Sequence, residues 1–506
     1  MKKYILIILC CLTSFPLWSY NVNMIVEHYS VDQGLPNNTV NCTLKDRDGF
    51  IWFGTWYGLC CFDGVKFKTF NKQEHDSDVP PRKIQRIVED KNGYIWVKTI
   101  DRKLYVFNKV TECFHAVYDD MKNYSENIQV IKLQNTAEGD VLLLTKDKNL
   151  LLAGVDEKGQ VTIKILFDSR NEINKHDYTL KHHVLCETEE YISWIGTDYK
   201  VAAVHKGSEL ASRPADFITS KINSGDKDSF TSFFEDGRKV WVGDRAGIFY
   251  SIDVRTGLVN RYVLSEIKGA ISNLLVTPAG YVYLSVAGQG TYEYDLAERR
   301  LQKINTEMND AMVTHAFIDQ YDKIWFHENE KALIYYDPLN HTAKRFPFTM
   351  FGKITTLYSE DAGERGLFFL SPAGEAWLFD REHAEMVYIN KLKQLSNDRA
   401  NQQFYHLMLD NDGVLWLSSA DEGVYCMNFP KKQFNLLSLS PQSVGQENYA
   451  TGVRALFQSK SGDIWVGTRW QSVYRMDRNG VTKHVFSTGD EHIGCLLYTS
   501  DAADEL

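Results

Sequence analysis

Residues 39–44 alternate apolar and polar positions in the manner of a half-buried strand, and Asp46-Arg-Asp-Gly49 then breaks the run as a hairpin turn. Residues 50–55 form a second strand, rich in aromatic and β-branched side chains. Trp56-Tyr57-Gly58 turns the chain again, residues 59–62 make a third strand, and Asp63-Gly64 leads into a fourth at residues 66–70. The same phrase returns as DKNGYIWVKT at 90–99, EYISWIGT at 190–197, DGRKVWVGD at 236–244, DNDGVLWLSS at 410–419 and KSGDIWVGT at 460–468. Fainter copies sit at 136–145, 277–286, 321–328 and 364–371. The central tryptophan or its equivalent falls at 52, 96, 142, 194, 241, 283, 325, 368, 416 and 465, a period of roughly 42 to 52 residues.

Four short antiparallel strands in each such unit predict an all-β protein built of propeller blades. No stretch between Val22 and Phe486 combines helical periodicity with helical length; residues 382–399 come nearest and read as an excursion between blades. A single ring usually holds four to eight blades. The expected division is therefore a seven-bladed propeller over residues 25–345, followed by the first three blades of a second propeller over residues 346–494. Ile25-Val-Glu-His-Tyr-Ser30 has the alternation of a strand donated to close the first ring.

Strand order then sorts the turns. The Gly34-Leu-Pro-Asn-Asn38 segment and the Trp56-Tyr57 loop lie at one end of a blade and the Asp46–Gly49 turn at the other. Asp198-Tyr199, Asp244-Arg245, Gln289, Glu328-Asn329 and Arg469-Trp470 join the first end, where the loops vary most. Trp56, Tyr57, Tyr199 and Trp470 stand in loops, placed to stack on the apolar face of a sugar ring. Asp198, Asp244, Arg245 and Arg469 are placed to bond its hydroxyl or acidic groups. The tryptophans inside strands (52, 96, 194, 241, 325, 416 and 465) share one register and read as wedges between blades.

Composition narrows the picture. A net charge of −10 and 13% aromatic residues fit stacked sheets and give no footprint for nucleic acid. Residues 1–19 have the charged start, short apolar run and small terminal residue of a signal peptide, and no later stretch is long and apolar enough to span a bilayer. Cys42, Cys60, Cys61, Cys113, Cys186 and Cys426 match no zinc spacing and no compact disulfide framework; buried thiols are expected, with Cys60 and Cys61 pointing to opposite faces.

Several motifs reduce to plainer chemistry. The Asp-rich turns lack the further oxygen ligands and distal acid of a calcium loop. His182-His183 have no metal spacing, and Ala287-Gly288-Gln-Gly290 lacks a strand-to-helix context, so no metal or cofactor is expected. No pair of carboxylates can be placed at glycosidase separation from sequence alone.

The string GLPNNTVNCTLKDRDGFIWFGTWYGLCCFDGVKFKTF resembles the two-component-regulator propeller repeat, whose pattern is a GLP-N turn, a strand, D-x-x-G-x-I-W-x-G-T and then G-L-x-x-[FY]-[DN]. The resemblance is strong in the blades at 52, 96, 241, 416 and 465 and weak in those at 142, 283 and 368. It implies the periplasmic sensor region of a Bacteroidetes hybrid two-component system: two propellers, a β-sandwich, one membrane span, then a histidine kinase, receiver and DNA-binding domain. It further implies an oligosaccharide ligand and a homodimer in the intact protein, with membrane contact only through the missing C-terminal span. No kinase motif is present, so no enzyme activity is expected of these residues. Residues 495–506 resemble a translated sequencing adapter and are expected to be non-native, with the chain truncated there. The alternatives are an exported propeller enzyme, either polysaccharide lyase or glycosidase, and a protein-interaction scaffold.

Overall fold

The computed structural model describes residues 25–486 apart from 71–79, 123–128, 170–179, 189, 197–200, 208–229, 257, 305–312, 329–330, 349–357, 362–365, 372–375, 390–403, 429–452, 469–472 and 478–481. The segments read as a signal peptide (residues 1–19) and as an adapter-like tail (residues 495–506) lie outside the described residues. The chain divides into two compact units, residues 1–429 and 430–506.

Among the described residues the first unit is all-β, with one four-residue helix at Tyr118–Met121 and one 3-10 turn at Val31–Gln33. Its strands form nine antiparallel sheets in chain order: blade one at residues 40–70, two at 84–116, three at 130–167, four at 180–205, five at 230–263, six at 271–303, seven at 313–347, eight at 358–389 and nine at 404–428. Blade four shows three strands among the described residues, and the others show four. Residues 382–399, the nearest thing to a helix in the sequence, begin as a turn and continue as the outer strand Glu385–Ile389 of blade eight; 390–399 lie outside the described residues.

Blade nine has only three strands of its own and borrows the fourth. Ile25–Tyr29 pairs antiparallel with Val424–Asn428, Ile25 opposite Asn428 and Tyr29 opposite Val424. His28 stacks on Tyr425 with ring centroids 4.4 Å apart, and Tyr29 packs against Phe62, Phe67 and Trp416. The Gly34–Asn38 segment completes the join: Asn38 Oδ1 accepts the Val31 N–H and its carbonyl accepts that of Gly423. Gly423 sits at φ 93°, and a Cβ there would lie 2.1 Å from the Tyr29 carbonyl oxygen, so only glycine passes.

Each neighbouring pair of blades shares a hydrophobic cluster, from Trp52 and Ile84 between blades one and two around to Phe53 and Trp416 between blades nine and one. The ring is therefore continuous. The structure draws its boundary elsewhere than the seven-plus-three division over 25–345 and 346–494. The donated strand is the one expected, but it closes on the ninth sheet, because Tyr29 fits the Trp416 wedge and its register matches Val424. The period alone carried no mark of where a ring ends.

The second unit contains a tenth sheet at residues 453–486. Its inner strand, Val453–Gln458, leaves Val453, Leu456 and Phe457 exposed by 53%, 70% and 65%. The corresponding Phe404 and Leu407 of blade nine are buried in a blade interface.

Candidate functional site

The repeat's own chemistry comes first, since it decides which polar groups are already occupied. In blade one Asp46 Oδ1 accepts the N–H groups of Asp48 and Phe50, while Oδ2 accepts the Trp52 indole N–H at 2.8 Å. Blades two, seven and nine repeat the arrangement with Asp90–Trp96, Asp319–Trp325 and Asp410–Trp416, and blade five with Asp236–Trp241. One carboxylate thus closes the turn and satisfies the buried indole of the wedge. Blades three and six have no tryptophan, and there Thr136 and Thr277 close the turn with a hydroxyl.

Asp46, Asp48 and Glu89 come close enough to suggest a cation site. The Lys109 ammonium stands among them, 3.0 Å from Asp46, 2.7 Å from Asp48 and 2.8 Å from Glu89. Burial alone would push this ammonium down, but the three carboxylates raise it above the usual lysine range. Arg381 does the same work between blades seven and eight, reaching Asp319 at 2.5 Å and Asp361 at 2.7 Å. These acidic turns are interblade ties.

At the opposite end, the last residue of the second strand clasps the next turn. The hydroxyl of Thr55 donates to the Gly58 carbonyl, and Ser419 to that of Gly423. In blade five this position is Asp244, and it is buried. Its carboxylate accepts the N–H groups of Ala246 and Ile248, and burial raises its pKa despite those bonds. Asp244 is therefore a turn clasp, a correction to its expected role on the ligand face. The Gln289 side chain is likewise engaged, bonding the Lys268 N–H and the Glu266 carbonyl. Glu328 is buried and paired with Arg345 at 2.9 Å.

Three of the expected contact residues do present themselves. Trp56 and Tyr57 are 37% and 60% exposed, and Arg245 is exposed beside the buried Asp244. The Lys83 ammonium lies 5.0 Å from the Trp56 ring centroid, which holds the indole in place and puts a positive charge next to it. Asp198, Tyr199, Arg469 and Trp470 lie outside the described residues.

Three cysteines follow the expectation of buried thiols, while Cys61 and Cys426 are half-buried. Cys42, Cys60 and Cys113 are buried free thiols, and burial pushes the thiols of Cys42, Cys60, Cys61 and Cys426 up to about 12. Cys60 packs on the blade-nine side and Cys61 on the blade-two side. The side chains of His182, His183 and Cys186 are outside the described residues.

A ring of antiparallel sheets wedged at every interface and closed by a strand from the opposite end of the unit is a β-propeller. Residues 34–57 match the family described as two component regulator propeller, so blade one carries that repeat, including the closing turn, the Asp46–Trp52 latch and the Trp56-Tyr57 loop. No curated protein gives a significant sequence match. Among solved structures, the extracellular domain of the putative hybrid two component system BT3049 from B. thetaiotaomicron is 15% identical, with a TM-score of 0.32, covering 92% of this chain and 67% of that one. The extracellular domain of BT4673 from the same organism is 17% identical, with a TM-score of 0.29, covering 90% and 61%. PorZ of Porphyromonas gingivalis, a surface component of the type-IX secretion system, is 11% identical at 0.29, covering 89% and 64%. The chain thus spans about two thirds or less of the length of these proteins. Similarities this distant carry no argument about function. Among the described residues no helix is long and apolar enough to cross a membrane.

Proposed function

We propose that this chain is the periplasmic ligand-sensing region of a hybrid two-component system histidine kinase, reading a glycan-derived oligosaccharide to control polysaccharide-utilisation genes. The observation that carries the reading is the two-component regulator propeller repeat at residues 34–57, echoed by the Asp–Trp latch in four further blades. The region itself does no chemistry; the kinase activity belongs to the intact protein. Trp56, Tyr57 and Arg245 offer an aromatic platform and a cation on the loop face, with Asp198 and Tyr199 as further contacts in the first unit; Arg469 and Trp470 hold the equivalent sequence positions in the tenth repeat. In a homodimer, ligand that binds one arrangement more tightly than another shifts the balance between them, and the kinase reads that shift. A broad glycan array probed with the purified chain tests this. Binding to one family of oligosaccharides, weakened at least about tenfold by Trp56→Ala, is the expected result. Silence across the array ends the sugar assignment.

A further inference from the structure

A second group of polar side chains converges at the other end of the first unit, along the inner strands. A cavity of about 470 Å³ is lined there by strand residues of blades one, two, three, eight and nine, among them Lys45, Arg86, Asn135, Glu360 and His406. That volume falls within the range of small-molecule sites. Most of the acids and bases nearby are engaged: Lys45 bonds Asp412 at 2.5 Å, Glu89 holds Lys109, and the Asn135 amide donates to the Glu89 carbonyl. Three groups are not. Among the described residues Arg86, which is exposed to the cavity, forms no ion pair, and the buried His406 Nδ1 has no hydrogen-bond partner. Glu360, on the neighbouring inner strand of blade eight, has no hydrogen bond or ion pair among the described residues.

Three ionisable groups lining one cavity without pairing are a site whose complement is a ligand. A guanidinium with no acid beside it takes a planar anion through two parallel N–H donors, the geometry of a carboxylate. Burial, helped by Arg86, keeps His406 neutral, pushing it down to about 4, so its ring accepts from or donates to a hydroxyl. Glu360 is pushed up to about 7 by burial and by Asp361, so it is present partly as the neutral acid and disfavours a dianion. We propose that this cavity binds a small hydroxylated monocarboxylate, with its carboxylate on Arg86 and its hydroxyls on His406 and Glu360. A uronic acid has this chemistry. The proposal narrows the sugar-sensing reading to an acidic sugar, at a site separate from Trp56 and Tyr57.

Calorimetric titration of the full chain with glucuronate, glucose and sulfate tests it. Glucuronate is expected to bind, with glucose and sulfate at least about tenfold weaker, and Arg86→Gln to lose about tenfold or more. Arg86 is exposed, so its replacement leaves the packing intact, and an unchanged thermal transition confirms this. The imidazole resonances of His406 should move on addition of glucuronate and stay fixed with glucose. The proposal is overturned if glucuronate fails to bind at about 10 mM, if Arg86→Gln leaves the affinity within about twofold, or if sulfate binds as well as glucuronate. Trp56→Ala separates the two readings: it should spare glucuronate binding while weakening oligosaccharide binding on the loop face.

Discussion

Asp90 shows how much one side chain carries in this repeat. Its two oxygens accept the N–H groups of Asn92 and Tyr94, the Trp96 indole and, at 3.3 Å, the Val155 N–H of the next blade. Replacing it by alanine leaves a buried indole N–H unsatisfied and opens the turn, so Asp90→Ala should cost about 2–3 kcal/mol in urea denaturation. Adding Trp96→Phe should return part of that loss, because the orphaned donor goes with the ring. Glu360 and His406 give stability opposite slopes with pH. Glu360 is raised to about 7, so the folded state holds its proton longer than the unfolded chain, and stability should fall as pH rises from about 4.5 through 7. His406 is lowered to about 4, so the unfolded chain binds the proton first, and stability should fall as pH drops from about 6.5 through 4. Denaturation midpoints for Glu360→Gln and His406→Phe should each lose one of these slopes. A midpoint profile that keeps both slopes in both variants would refute the assignment.

Within a blade, the glycine of the W-x-G-T phrase sits where its own inner strand and that of the next blade leave no room for a side chain at Gly54 and Gly243. A Cβ on Gly54 would lie 2.4 Å from Cys42 Sγ and 2.6 Å from Ile84 Cγ2, and one on Gly243 would lie 2.4 Å from Ser232 Oγ and 2.7 Å from Ile271 Cγ2. Gly54→Ala should therefore destabilise the first unit by about 1–3 kcal/mol through overpacking, measured as a lower thermal or urea midpoint. Blade two puts Lys98 at this place. It stays buried by bonding Gln85 and the Ile131 carbonyl, and burial with Arg102 and Arg86 pushes its pKa down to about 8. The blade was legible in the sequence because turn residues and strand alternation are local. The latch was visible too, as an aspartate six residues before the tryptophan in blades one, two, seven and nine, and as its absence beside Leu142 and Tyr283. Turn and wedge were read as separate features, and only geometry joined them. Asp244 misled for the same reason: in sequence it is a loop acid, while in space it replaces the Thr55 hydroxyl.

At the scale of the molecule, what the sequence hid was long-range. The donor strand was legible from its alternation, but its partner was not, because pairing depends on contacts the repeat period does not encode. The inner-strand cavity was illegible for a similar reason, since it gathers residues from blades one, two, three, eight and nine. The two units should also behave differently in solution. A chain ending at Phe429 keeps every blade interface of the first unit and should keep its thermal transition within a few degrees. The tenth blade exposes Leu456 and Phe457, and replacing both with lysine should reduce aggregation of the full chain in light scattering. Removing residues 25–29 should lower the midpoint of the first unit, and a peptide of that sequence should raise it again in a concentration-dependent way.

Ile25 reaches its partner Asn428 only across nearly the whole length of the unit. A chain made from its N-terminus therefore presents its first strand long before that strand has anything to pair with. The eight blades between can form from local hairpins, but the last interface waits for the ninth to arrive. Until then two sheet edges stand open at once, one on each side of the gap. Closure is a single late event with a large loop entropy against it, and it should set the slowest folding phase. The first few residues of the ring thus act as a clock, holding the fold unfinished until the whole ring has been delivered.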